Sequence, residues 1–179
     1  AAFFTALTLI KKNSVLKIRN VGLNPTRTGF YNLLKKSGAK IKFLNIKKIN
    51  NERVGDIEVK SSKLKPIIAS KKYYLNTTDE YPILFIISAL INGKSSFSGI
   101  KDLKNKESDR ISELQKILKQ INVRSKFAND KLVILGRKFK YKDQNINVPS
   151  LGDHRICMSA AILALATGVK TRVKNFETV

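Results

Sequence analysis

The chain is poor in the residue types that build disulfides and metal centres. Its 179 residues include one cysteine, one histidine, one methionine and no tryptophan. The single cysteine, Cys157, excludes an internal disulfide and suggests a reducing compartment or indifference to redox conditions. One cysteine with one histidine does not make a metal site, so we predict none. Long apolar runs are also missing, because the longest, residues 156–166, is far shorter than the roughly 20 residues of a membrane-spanning helix.

Acidic residues are scarce relative to basic ones. There are 13 Asp and Glu against 35 Lys and Arg, so the formal net charge is +22. Three explanations compete: nucleic-acid binding, small anionic substrates, and a compositional bias toward lysine. The lysines are scattered over most predicted elements, and aromatic residues do not interleave with them as base-stacking platforms would require. We therefore favour bias together with an anionic substrate, and predict neither a nucleic-acid nor a membrane partner.

The chain does contain enough apolar sequence for one packed domain. Apolar residues make up 42%, and a chain of this size buries roughly 70% of its unfolded surface without disulfide or metal staples. It opens at Ala1 inside an apolar run with no initiator methionine, and it closes at Val179 directly after a strand-like run. We expect it to be a piece of a longer chain.

Hydrophobic periodicity divides the chain into helices and strands that recur in a fixed order. Asparagine-containing doublets at 50–51 and 129–130 predict two hairpin turns. The predicted helices are 1–10, 24–37, 81–91, 107–121 and 154–166. The predicted strands are 15–18, 41–46, 54–59, 64–69, 94–97, 123–127, 132–135, 146–148 and 169–173.

This order is a repeat of helix, strand, helix and three strands. The turns predicted after the first strand of each unit fall at Val21, Ser98 and Asn175, 77 residues apart each time. The units are approximately 1–70, 71–149 and an incomplete 150–179. Repeated units bury their apolar faces by stacking on one another, and the first helix of each unit is apolar almost all round. We predict an α/β fold with pseudo-threefold symmetry, helices inside and sheets outside.

The most informative charged cluster is KESDR, at residues 106–110. It lies where a loop gives way to a helical pattern with one apolar face, so it forms the first turn of a helix or the step just before it. Helix N-termini present free N–H groups and favour anions. Lys106 and Arg110 are four residues apart and would share a face of that turn, with Glu107 beside them. The cluster could hold a doubly anionic ligand and move a proton on it, although such clusters alone are usually solvated surface.

Two more helix starts carry charged residues, at Asp79-Glu80 and at Asp153-His154-Arg155. Because equivalent helix starts of repeated units lie on the same side, acid, base and cations should converge there with the KESDR segment.

Four segments, taken in order, resemble the motifs of the 5-enolpyruvylshikimate-3-phosphate (EPSP) synthase family, the 3-phosphoshikimate 1-carboxyvinyltransferases. The family's fold has two domains, each of three repeats with helices inside. The resemblance runs over residues 1–179. It implies that the chain has the enolpyruvate transferase-like fold and forms most of the carboxy-terminal domain of the enzyme. The segments are GLNPTR at 22–27, DEYP at 79–82, KESDR at 106–110 and GDHRI at 152–156.

The resemblance also implies a reaction. The enolpyruvyl group of phosphoenolpyruvate passes to the 5-hydroxyl of shikimate-3-phosphate and phosphate is released, a step of the shikimate pathway to aromatic amino acids that glyphosate inhibits. No metal or organic cofactor takes part. The resemblance implies that the enzyme is located in the cytoplasm and that the complete enzyme is a monomer. It also implies that this chain has an amino-terminal domain of the same enzyme as its partner, which is missing here. Because that domain and a Thr-Ser-Phe-Pro-like segment are absent, we predict that the chain alone is inactive.

The resemblance assigns catalytic or substrate-binding roles to seven residues, which do not include Asp153. Asp79 would be the base near the 5-hydroxyl, and Glu107 would exchange a proton with the methylene carbon. Asp153 is read as a helix cap rather than a catalyst. The residues expected to hold substrate anions are Lys106, Arg110 and Arg155, with His154 as a lesser contact and Arg27 as either a phosphate contact or surface charge.

Three other functions stay open at this stage. The nearest is another enolpyruvyl transferase, one that acts on a nucleotide-sugar in cell-wall synthesis and shares the fold. A basic RNA-binding module is a second, since RNA-3′-phosphate cyclases share the architecture. A non-catalytic structural domain is the third.

Overall fold

The predicted order of elements is confirmed by the computed structural model, which describes residues 1–137, 145–149 and 152–174. The helices are α1 (Ala2–Ile10), α2 (Gly29–Lys36), α3 (Tyr81–Leu90), α4 (Arg110–Gln120) and α5 (His154–Thr167). The strands are β1 (Val15–Gly22), β2 (Lys40–Ile49), β3 (Glu52–Lys60), β4 (Ile68–Ala69), β5 (Gly93–Ser98), β6 (Arg124–Ala128), β7 (Lys131–Gly136), β8 (Asn145–Pro149) and β9 (Lys170–Lys174). Short 3₁₀ turns lie at Pro25–Arg27, Lys71–Tyr73, Thr78–Glu80 and Lys101–Asn105.

Strand pairing joins consecutive repeat units. The described strands form three sheets, in the orders β1-β3-β2, β4-β5-β7-β6 and β8-β9. The last strand of one unit pairs in parallel with the first strand of the next, as β4 does with β5 and β8 with β9. The strand predicted over 64–69 is shorter, because Pro66 has no N–H to donate and the Lys65 N–H donates to the Ser37 carbonyl at 2.8 Å.

The core lies between the first helices of the units. Helices α1, α3 and α5 pack against one another, and the sheets cover them, with β3 on α1 and β7 on α3. All residues of α3 except Leu90 are buried. This arrangement, with helices inside and sheets outside, agrees with the prediction from the apolar character of these helices. Among the described residues, no helix is long and apolar enough to cross a membrane.

Both predicted hairpin turns are confirmed. Asn50 and Asn51 have φ of 47° and 64°, and Asn129 and Asp130 have φ of 50° and 55°. Two consecutive residues in the left-handed region form the turn whose twist matches that of the flanking strands, and Asn and Asp tolerate this region best after glycine.

The turn predicted at Val21 is wrong. Strand β1 continues to Gly22 through a bulge between Ile18 and Val21, where Asn20 has a φ of 52°. The equivalent prediction at Ser98 is right, because β5 ends there and Gly99 follows with a φ of 74°. The third predicted turn, at Asn175, lies outside the described residues.

The bulge in β1 has a counterpart across the sheet. Strand β2 shifts register between Leu44 and Lys47. The Asp56 carboxylate on the central strand accepts the Asn20 N–H at 3.2 Å and the Asn45 Nδ2–H at 2.8 Å. One side chain therefore ties both bulges, a long-range arrangement that turn signals cannot reveal.

Two helix starts also differ from the prediction. Helix α4 begins at Arg110 rather than at 107, because the Asp109 carboxylate accepts the Ser112 N–H at 3.0 Å and caps the helix there. Lys106 has extended backbone, with φ −94° and ψ −161°. The expectation that Lys106 and Arg110 share one helical face is therefore wrong. Likewise, residues 25–27 form a separate 3₁₀ turn, and α2 begins at Gly29.

Candidate active site

The Arg110 guanidinium is the centre of the charged cluster. Its side chain is 1% exposed although it carries a permanent charge. Its Nε donates to Asp153 Oδ2 at 2.9 Å, and its Nη2 donates to Asp153 Oδ1 at 3.4 Å and to Glu107. Its Nη1 has no hydrogen-bond partner among the described residues and lies 4.0 Å from Asp79 Oδ1. A buried guanidinium thus joins three carboxylates and keeps one donor unsatisfied.

Asp153 ties the start of α4 to the start of α5. It is fully buried, and its carboxylate caps α5 by accepting the N–H groups of Arg155 at 3.0 Å and Ile156 at 3.4 Å. The Ser108 hydroxyl donates to the same carboxylate at 2.9 Å. Burial alone would raise the pKa of Asp153, but the hydrogen bonds from Arg110 and Ser108 and the charge of Arg110 outweigh it and lower this pKa. The prediction that Asp153 is a helix cap is confirmed. The structure shows in addition that Asp153 pairs with Arg110.

Asp79 is held at the other side of the cluster by Arg155. The 3₁₀ turn Thr78–Glu80 places Asp79 just before α3. Arg155 Nη2 lies 2.9 Å from Asp79 Oδ2, and Arg155 Nη1 donates to the Asp79 carbonyl at 3.2 Å. Two chain segments separated by 76 residues are joined in this way. The three charged helix starts therefore lie close together in the structure, as predicted.

The two carboxylates assigned to proton transfer are the accessible ones. The side chain of Asp79 is 47% exposed and that of Glu107 is 48% exposed, whereas Asp153 is buried. Both accessible carboxylates lie beside the same guanidinium. This arrangement can hold an anion at the cations while a carboxylate on either side gives or takes a proton.

Arg27 lies on a cleft shared with Asp79. The cleft has a volume of about 320 Å³ and is lined by Thr26, Arg27, Leu75, Asn76, Thr77, Thr78, Asp79 and Glu80. Arg27 is exposed, so its guanidinium is available to a ligand in the cleft. Lys106 is also exposed, on the loop before α4, and His154 is half-buried at the first position of α5.

Three residues of the site carry roles that sequence reasoning did not assign. Asp153 binds Arg110 directly, and the Ser108 hydroxyl orients the Asp153 carboxylate. Glu80 lines the cleft, and burial, then the neighbouring Asp79 charge, raise its pKa against the opposing charges of Arg155 and Arg27. The doublet Asp79-Glu80 was the available signal for Glu80, whereas nothing in the sequence signals the partnership of Arg110 with a residue 43 positions away.

Comparisons with known proteins identify the family of this chain. The sequence profile of the family described as EPSP synthase (3-phosphoshikimate 1-carboxyvinyltransferase) matches residues 1–179. The 3-phosphoshikimate 1-carboxyvinyltransferase of Petrotoga mobilis is 42% identical over all of this chain, and that of Carboxydothermus hydrogenoformans is 40% identical over all of it. In both cases the chain spans 41% of the relative's length.

Solved structures give the same result. EPSP synthase from Acinetobacter baumannii superposes on 99% of this chain with a TM-score of 0.91 and 31% identity, over 41% of its own length. The enolpyruvyl transferase NikO from Streptomyces tendae covers 99% of this chain and 38% of its own, with a TM-score of 0.67 at 12% identity, which shows a shared fold only. The chain belongs to the EPSP synthase family.

Proposed function

We propose that this chain supplies one wall of the active site of a 3-phosphoshikimate 1-carboxyvinyltransferase. The complete enzyme would transfer the enolpyruvyl group of phosphoenolpyruvate to the 5-hydroxyl of shikimate-3-phosphate and release phosphate. The observation that carries the proposal is the Arg110 cluster, because a buried guanidinium with an unsatisfied donor lies between two half-exposed carboxylates, Asp79 and Glu107. Family membership names the substrates, and the cluster supplies the chemistry that they need.

The proposed reaction is an addition followed by an elimination. In the addition, Glu107 gives a proton to the methylene carbon of phosphoenolpyruvate, the 5-hydroxyl oxygen bonds to the neighbouring carbon, and Asp79 takes the hydroxyl proton. In the elimination, Glu107 takes a proton back from the new methyl group as the carbon–oxygen bond to phosphate breaks, and Asp79 returns its proton to the leaving phosphate. Each carboxylate ends in the protonation state in which it began.

The cations would bind the substrate anions. Arg155 is held in place by Asp79 and is only 21% exposed, so its guanidinium is preorganised for a carboxylate or phosphate. Arg110 would contribute its unsatisfied Nη1 donor. Lys106, His154 and Arg27 would complete the anion site from its exposed side.

The remaining parts of the enzyme would come from outside this chain. We propose that residues 1–179 are most of the carboxy-terminal domain, that the amino-terminal domain provides most shikimate-3-phosphate contacts, and that the complete enzyme is a cytoplasmic monomer. The support is that the matched relatives are more than twice as long as the matched segment. The chain alone should then show no turnover.

Complementation tests the proposal. Phosphate release from phosphoenolpyruvate plus shikimate-3-phosphate is measured with the chain alone, and with the chain plus the non-matching segments of the Petrotoga mobilis relative. We expect turnover only in the mixture, and its loss in Asp79→Ala and Glu107→Gln chains. Glu52→Gln, at an exposed residue of the β2–β3 hairpin, is the matched control and should retain activity. Turnover by the chain alone, or full activity of the Glu107→Gln mixture, would refute the assignment.

A further inference from the structure

A large concave surface of the described chain lies away from the Arg110 cluster, between α4 and the outer strands of the second sheet. It has a volume of about 1020 Å³. Its walls are one side of α4, the strand β6, and the outward face of β7. The lining residues include Gln115, Lys116, Lys119, Arg124, Lys126 and Lys131. We call this surface the α4–β6 groove.

The groove is strongly cationic and has almost no acidic counterpart. Six of its lining residues are Lys or Arg, and none is Asp or Glu. Lys116 is paired with Glu113 at 2.7 Å. The other five make no ion pair with any described residue and are exposed: Lys94, Lys119, Arg124, Lys126 and Lys131. Unpaired like charges around a concavity repel one another and attract an anionic partner.

The groove also contains an open strand edge. Strand β6 is the outermost strand of the order β4-β5-β7-β6, so one row of its backbone N–H and C=O groups has no strand partner among the described residues. The five residues of β6 span about 17 Å. Such an edge is a template for an extended segment that adds as a further strand.

The cations lie on both sides of that edge. Arg124 and Lys126 lie two residues apart and therefore share the outward face of β6. Their neighbours on β7 are Leu135 and Val133, respectively. Lys116 and Lys119 project from α4 on the other side. A strand added to β6 would therefore meet cations on both of its faces, which favours a segment rich in Asp and Glu over an amphipathic one.

We propose that the α4–β6 groove binds an acidic polypeptide segment in extended form, which adds as a strand to the free edge of β6. Backbone hydrogen bonds to the edge supply the alignment, and carboxylates of the segment pair with Lys119, Arg124 and Lys126, the unpaired cations on α4 and β6. The groove includes no Tyr, Phe or His among its lining residues, so the base-stacking platforms of a single-stranded nucleic-acid site are lacking there. This inference is independent of the proposed catalytic function, because the groove and the Arg110 cluster share no residue.

Peptide binding to the 179-residue chain tests the proposal. The probe is a fluorescein-labelled peptide of about ten residues in which single Thr residues separate pairs of Glu, so that carboxylates lie on both faces of the extended strand. Its binding is measured by fluorescence anisotropy at physiological salt. The matched control probe has the same sequence with a methyl group on every backbone nitrogen, which removes the hydrogen-bond donors on both edges and keeps every charge. We expect the first peptide to bind at least about tenfold more tightly than the second, since only the first can complete the ladder.

Matched charge reversals locate the site. Lys119→Glu with Lys126→Glu should weaken peptide binding by about tenfold or more, whereas Lys42→Glu with Lys47→Glu should not. The control pair is exposed on β2, the corresponding edge strand of the first sheet, and changes the net charge equally. Far-ultraviolet circular dichroism confirms that each variant is folded. Equal binding of the two peptides, equal effects of the two variants, or tighter binding of a single-stranded RNA with the same charge would each overturn the proposal.

Discussion

The first two repeat units share one order of elements, yet they differ at the start of the second helix. In the first unit Arg27 is exposed, and Thr28 makes no side-chain capping bond to α2. In the second unit Arg110 is 1% exposed and Asp109 caps α4. The buried partner of Arg110, Asp153, comes from the third unit. This difference shows that the repeat provides a scaffold, whereas the buried charged cluster depends on a few residues at one junction between units.

Removing the buried partner of Arg110 should have the largest effect on stability. The Asp153→Ala variant leaves a buried guanidinium without its main counter-charge and α5 without its cap, so we expect a loss of about 3–5 kcal/mol in the free energy of unfolding. Urea denaturation measures it.

The equivalent arginine of the first unit, Arg27, should contribute little to stability. Arg27→Ala removes an exposed side chain that makes no ion pair with any described residue, so it should alter the free energy of unfolding by less than about 0.5 kcal/mol. If Asp153→Ala lowered the free energy of unfolding as little as Arg27→Ala does, the buried pair would not distinguish the two units.

Acid should weaken the same junction, by less than the alanine substitution does. Burial alone would raise the pKa of Asp153, but hydrogen bonds from Arg110 and Ser108 lower it below the ordinary value of 3.8. The unfolded chain therefore takes up this proton at a higher pH than the folded chain. The stabilisation is fully present above the unfolded pKa and is lost as the pH falls through the folded pKa.

The test compares urea midpoints of the native chain and of Asp153→Asn from neutral pH to below pH 3.8. The native chain should lose stability more steeply at the acid end, since the amide has no proton to gain there. Parallel profiles would show that Asp153 does not contribute to the acid sensitivity.

The two hairpin turns should respond differently to glycine. Both use left-handed residues, but only the second is tied to the rest of the fold, because Asp130 accepts the Lys101 N–H at 2.6 Å. We expect Asp130→Gly to cost about 1 kcal/mol and Asn51→Gly to be neutral within about 0.5 kcal/mol. Thermal unfolding of both variants measures the difference, and equal shifts would contradict the role of the Asp130 bond.

Features that depend on local signals could be predicted from the sequence. The hairpins follow from doublets at which left-handed backbone is tolerated, and the apolar helices α1, α3 and α5 follow from their composition. The meeting of the charged helix starts follows from the repeat itself, because equivalent positions of stacked units lie on one side. These features can be predicted without knowing which distant residues pair.

Features that depend on distant pairing could not be predicted. A first-turn arginine is ordinarily solvated, and only the carboxylate of Asp153, 43 residues away, permits the burial of Arg110. The bulges in β1 and β2 arise in the same way, since Asp56 on a third strand ties them. The start of α4 is predicted three residues too early, because Glu107 and Ser108 continue the helical pattern backwards although they precede the capping residue Asp109.

We propose that the junction of the second and third units carries the proton-transfer chemistry. This proposal is tested most directly in a chimera in which these 179 residues replace the matching segment of the Petrotoga mobilis relative, to which they are 42% identical. Phosphate release is compared for Glu107→Gln and Glu52→Gln chimeras. We expect the first to lose about 10²–10⁴-fold in kcat and the second to keep its activity. Equal activity of the two chimeras would contradict the claim.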